Sequence, residues 1–208
     1  MQTEKPKETS REQAFMRHLR QRSEPGDLAK LRRTLGDPGQ EVIPIVEGFI
    51  ARIQAEYENG WERQVYYLVA GLWASTVSSS ELERFRDQPE EEHEIASTEE
   101  KSAEDKSVNV RYRRTLGYAI AQLYLARDQS KSIEQRFITL LDADEEQLPY
   151  RLRQMTQLLK AEEGIRVYWT ELLRDLLYWN NEHKSVQQKW AKAFYRTLSK
   201  ATPQGEEA

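Results

Sequence analysis

WTELLRDLLYWNNEHKSVQQKWAKAFYRTL, residues 169–198, carries two apolar stripes separated by a short polar link. Trp169, Leu172, Leu173, Leu176 and Leu177 fall on one face of a 3.6-residue repeat, and so do Val186, Trp190, Phe194 and Leu198. A strand would place apolar side chains at every second residue, and neither run does so. This stretch is helical, and the rest of the chain repeats its pattern.

Working towards the N-terminus, Leu148, Leu152, Met155 and Leu159 form another stripe. Ile133, Phe137, Leu140 and Leu141 form the one before it, with Ser132 and Gln135 spaced as a capping box. Leu116, Ile120, Leu123 and Tyr124 come next. Trp61, Val65, Leu68, Val69, Leu72 and Trp73 line a longer helix, and Val46, Phe49, Ile50, Ile53 and Tyr57 a shorter one. Leu28, Leu31 and Leu35 mark a helix ended by Gly36 and Pro38. Phe15 and Leu19 mark the first, with Ser10 and Gln13 as its capping box. The expected fold is all-α, with about eight or nine helices in two packed helical bundles.

Composition narrows the chemistry. The 208 residues are 38% hydrophobic, enough for a sizeable core without disulfides or structural zinc. With no cysteine, thiolate metal sites, iron–sulfur clusters and thiol nucleophiles are excluded. No apolar run approaches about 18 residues, and the opening MQTEKPKETSREQ lacks the apolar core of a signal peptide. A cytoplasmic protein with no membrane partner is expected.

The net charge of −4 conceals an asymmetry. Residues 81–106 carry −7, whereas residues 107–200 carry +5. The acidic run has too few apolar side chains to offset the entropy of ordering. It is read as a flexible acidic insertion over 81–107, between an N-terminal bundle (1–80) and a C-terminal bundle (108–200). Residues 201–208 are read as a disordered tail.

No active site emerges. His18, His93 and His183 lack metal-ligand spacing and read as solvated surface residues. Asp142, Asp144, Glu145 and Glu146 cluster where a helix is expected to start, a position that favours acids without any catalytic role. Phosphate-binding glycine loops and nucleophile elbows are missing. The five tryptophans sit among leucines at helical spacing and read as core. No enzyme activity, metal or cofactor is expected. What remains is the placement of basic residues, whose guanidinium forks and ammonium groups suit phosphate oxygens.

Several segments together resemble the small subunit of the type I-E CRISPR effector complex, Cascade. They are SIEQRFITLLDAD (Ser132 to Asp144), LPYRLRQ (Leu148 to Gln154), YWTELLRDLLYW (Tyr168 to Trp179) and WAKAFY (Trp190 to Tyr195). LAKLRRTLG (Leu28 to Gly36) and YYLVAGLWA (Tyr66 to Ala74) extend the resemblance into the N-terminal half. It implies two helical bundles and a non-catalytic role in antiviral defence. The implied partners are the backbone, large and end subunits of Cascade, a second copy of the chain, the guide RNA and target DNA backbone, and the displaced single-stranded DNA. It points to Arg32, Arg33, Arg63, Arg136, Arg151, Arg153 and Lys189 as contacts to nucleic acid. Arg113 and Arg114 join them by clustering, and Lys192 shares a helix face with Lys189. Tyr118 departs from the family pattern, which has a basic residue there; stacking by Tyr118, or a contact from Arg113 or Arg114, would compensate. The competing expectation is an α-helical protein-interaction scaffold without direct nucleic-acid contact.

Overall fold

Local signals place most helix starts. In the computed structural model, which describes residues 10–36, 42–53, 60–87 and 112–201, α1 (Arg11–Arg22) opens on a complete capping box. The Gln13 N–H donates to Ser10 Oγ at 3.3 Å, and the Ser10 N–H donates to Gln13 Oε1 at 3.0 Å. α2 (Pro25–Thr34) begins with proline, whose missing N–H costs nothing there, and Asp27 accepts from the Glu24 N–H at 2.9 Å. α3 spans Pro44–Arg52, α4 Gly60–Thr76 and α5 Ser79–Asp87. The C-terminal half supplies α6 (Leu116–Ala126), α7 (Lys131–Leu141), α8 (Leu148–Lys160), α9 (Trp169–Leu177) and α10 (Ser185–Ala201). Among the described residues there is no strand.

Each of the nine stripes read from the sequence maps onto one of these helices, with Leu35 and Ile53 capping α2 and α3, and α5 is a further helix among the described residues. α5 occupies the start of the segment read as acidic insertion. It packs on α1, and Leu82 is its buried anchor. The rest of that insertion, residues 88–107, lies outside the described residues, as do residues 108–111, Pro38, Tyr57 and the tail from 202 onward. The capping box expected at Ser132 and Gln135 does not form. α7 starts two residues earlier, after Ser130, so Ser132 already lies within its first turn.

α4 organises the core. Val65 to Ala74 are all buried, because α4 packs against α2, α3, α8 and α9. A helix apolar on every side is stable only when surrounded in this way. α9 lies on α1 and α4, so packing across the two halves does not follow chain order. One hydrophobic cluster runs through both. Phe15 meets Tyr66 edge-on at 4.8 Å in the N-terminal part, while Trp179 and Trp190 lie 5.2 Å apart in the C-terminal part. Trp73, Trp179 and Trp190 are fully buried, and the indole N–H of Trp179 donates to the Ala143 carbonyl at 3.1 Å. Trp61 and Trp169 are partly buried against the same cluster. No helix among the described residues is long and apolar enough to cross a membrane.

Candidate nucleic-acid interface

Three of the expected phosphate contacts are committed elsewhere. Arg32 donates from Nε to the Ala74 carbonyl at 2.8 Å and from Nη2 to the Val77 carbonyl at 2.7 Å. Those carbonyls belong to the C-terminal end of α4, where orphan acceptors collect. Arg63 pairs with Glu47 and lies over the Tyr67 ring at 4.8 Å. Tyr67 donates to the same carboxylate at 2.8 Å, tying α4 to α3.

Lys189 sits 2.6 Å from both Glu171 and Asp175. Asp175 is buried and also accepts from the Trp190 indole N–H at 2.6 Å. Burial pushes the Asp175 carboxyl up from the usual range, against the pull of the Lys189 ammonium. Burial alone would lower Lys189, but the Asp175 and Glu171 carboxylates outweigh it and hold the ammonium above its ordinary value. Glu171 also binds Arg174, which reaches Glu12 at 3.9 Å. Lys189 is thus the centre of a network joining α10, α9 and α1.

The remaining basic residues fall into two groups with different surroundings. Arg136 on α7 and Arg153 on α8 are exposed, and Arg151 is half-buried beside them on α8. Among the described residues none of the three has a carboxylate within ion-pair distance. Two of them have neutral partners: Arg136 donates to Gln154 Oε1 at 3.4 Å, and Arg151 donates to Gln147 Oε1 at 2.9 Å. Gln154 in turn donates to the Tyr150 hydroxyl at 2.6 Å. α7 packs on α8, so these side chains form one surface.

The second group lies where α6 begins against α10. Arg114 approaches the Tyr168 ring at 5.9 Å. Arg196 and Lys200 lie over Tyr112 at 4.9 and 5.5 Å, and Lys192 is exposed one turn before Arg196. The Nε–H groups of Arg113 and Arg114 are buried and have no acceptor among the described residues. Tyr118 is half-buried, edge-on to Tyr112 at 5.6 Å, and its ring is engaged in packing. Arg33 is exposed on α2, apart from both groups, with interactions of its own.

Two acids of the cluster ahead of α8 have partners in the fold. Asp144 accepts from the Gln147 N–H at 2.8 Å, and Glu145 binds Asn180. Among the described residues no group of three acids or histidines could hold a metal ion. His18 corrects the expectation of a solvated histidine. It is half-buried between α1 and α3, and Nε2 donates to the Ile45 carbonyl at 2.9 Å. Its Nδ1 then accepts from Arg52 at 3.3 Å, which requires the neutral ring. Sequence reading misses Tyr150, Gln147, Gln154, Tyr112 and Lys200, which take their place from contacts along α8 and from the packing of α7 on α8 and of α6 on α10.

The model of the family CRISPR-associated protein Cse2 matches residues 27–195, most of the chain and all of the second half just described except the end of α10. The chain belongs to the Cse2 family. A Cse2 protein of Thermus thermophilus is 31% identical over 170 residues, covering 80% of this chain and 77% of its own length. The crystal structure of M. ruber CasB superposes with a TM-score of 0.78 at 66% identity, covering 93% of this chain and 97% of that one. A chain from a solved CRISPR RNA-guided surveillance complex shares the fold, with a TM-score of 0.65 at 22% identity. The Cse2 family is the type I-E small-subunit family that the C-terminal motifs resemble.

Proposed function

We propose that this Cse2-family chain is a non-catalytic subunit of a type I-E RNA-guided surveillance complex. In this reading it holds nucleic-acid backbone, stabilising the guide RNA–target DNA hybrid and the displaced strand. The other Cascade subunits and a second copy of the chain are its partners. The observation that carries this reading is the contrast among the basic residues. Arg63 and Lys189 are neutralised by carboxylates within the fold, whereas Arg136 and Arg151 donate to neutral glutamines and Arg153 is exposed with no carboxylate at ion-pair distance among the described residues. Guanidinium groups left with neutral partners on a surface keep their charge available to phosphate oxygens. Base pairing with the guide supplies sequence specificity, so such a subunit needs only backbone contacts; the same division of labour operates in other RNA-guided effectors.

The test is single-stranded DNA binding by the full chain across a salt series, against the triple variant R136A/R151A/R153A. Each lost phosphate contact should lower the slope of log affinity against log salt by about 0.7. The triple variant should therefore lose about two units of slope. An unchanged slope, with assembly impaired instead, would favour the scaffold reading and remove direct backbone contact from this face.

A further inference from the structure

Tyr150 is 63% exposed on α8, and its hydroxyl shares the Gln154 amide with Arg136 of α7. We propose that Tyr150 is a stacking platform for an unpaired nucleobase, so that this surface selects single-stranded over duplex nucleic acid. The inference rests on the backbone-binding reading and adds to it the state of the strand.

Three observations favour Tyr150 over the other exposed tyrosines. First, its hydroxyl is held: Gln154 donates to it at 2.6 Å while accepting from Arg136 at 3.4 Å. A ring pinned at its tip loses little further freedom when a base lands on its face. Second, its basic neighbours keep neutral partners, so phosphates flanking a stacked base meet uncompensated cations. The nearby carboxylate of Asp144 is turned onto Gln147 as a helix-start acceptor. Third, the alternatives face acids. Tyr178, equally exposed, shares a cleft with Glu62 and Glu145, and Tyr195 donates to Glu134 at 3.3 Å. Carboxylates at those rings would repel the backbone of any strand whose base stacked there.

Aromatic stacking acts on the π-face that every base has, which makes it indifferent to sequence. Paired bases are stacked on their neighbours and offer no free face to a side chain. A surface combining arginines with one rigid exposed ring therefore reads strandedness without reading sequence.

The experiment compares two strands of equal length and charge, an oligothymidylate and an abasic phosphodiester, binding to the full chain at fixed salt. Anisotropy should show a preference for the base-bearing strand of about five- to tenfold, at the low end of what stacking supplies. Y150A should bring the ratio close to one while leaving the salt slope intact, and Y150F should retain most of the preference. Equal wild-type affinity for both strands would overturn the stacking inference and leave backbone binding standing. A preference that survives in Y150A would overturn it as well. Absence of binding to either strand at low salt would overturn both.

Discussion

Replacing Gly117 with alanine should destabilise the protein far more than one methyl group suggests. Gly117 lies in the first turn of α6, where that helix crosses α10. A Cβ there would sit 2.1 Å from the Trp190 carbonyl oxygen and 2.7 Å from its carbon. Both atoms are backbone, so no rotamer change relieves the clash. Reaching ordinary contact requires α6 and α10 to separate by about 1.3 Å, and a gap of that size forfeits about half the dispersion contact along the seam. The seam includes the buried Trp190 and Phe194. The cost should be about 3 kcal/mol, the upper end for overpacking. For a chain of this size that lowers Tm by roughly 6–12 °C. Gly48 is the matched control: it lies inside α3, exposed, with nothing within 4 Å of an added Cβ. There alanine removes only the backbone entropy penalty of glycine and should stabilise by about 0.5–1 kcal/mol. Calorimetry or thermal circular dichroism on the two variants reads both signs. G117A melting within about 2 °C of wild type, well short of the expected shift, or G48A melting lower, would refute the helix contact as described.

R32A should lower stability by about 1–2 kcal/mol, because two carbonyls at the end of α4 lose a charged donor. Its DNA salt slope should match wild type, which separates it from Arg136, Arg151 and Arg153; urea melts and the binding series read the two effects. His18 supplies a pH dependence. Burial, with the charges of Arg52 and Arg22, holds its pKa below the ordinary 6.5, against the hydrogen bond to Ile45. The unfolded chain therefore binds the proton more tightly, and stability should fall as pH drops from about 6.5 through the depressed value. H18Q should flatten that limb of the urea midpoint against pH.

The helices could be read from the sequence because their apolar period reports a local property, the face each helix buries. α5 escaped for the complementary reason. SSELERFRD is charged and buries Leu82, and it is held by packing on α1 rather than by an apolar stripe of its own. The basic residues divided in a way no local pattern predicts. Arg63 and Arg136 look alike in sequence, yet Arg63 finds Glu47 on a neighbouring helix while Arg136 finds only Gln154. In sequence Lys189 and Lys192 are three apart and share a helix face. One turn of α10 places Lys189 over the acids of α9 and leaves Lys192 in solvent. Charge partners lie 14 to 18 residues away or more, and only the tertiary arrangement reveals them.

The central position of α4 bears on how the chain is made. α4 is complete at residue 76, but α9, which covers one side of it, begins at residue 169, and the Trp61 indole waits for the Leu176 carbonyl at 3.1 Å. At about 5–20 residues per second, a ribosome takes on the order of 5–20 s to synthesise the intervening chain. Throughout that interval the nascent N-terminal helices carry an uncovered apolar flank on α4. Synthesis rate and holdase capture should therefore govern the yield of this protein more strongly than they would for a chain whose two halves each close their own core.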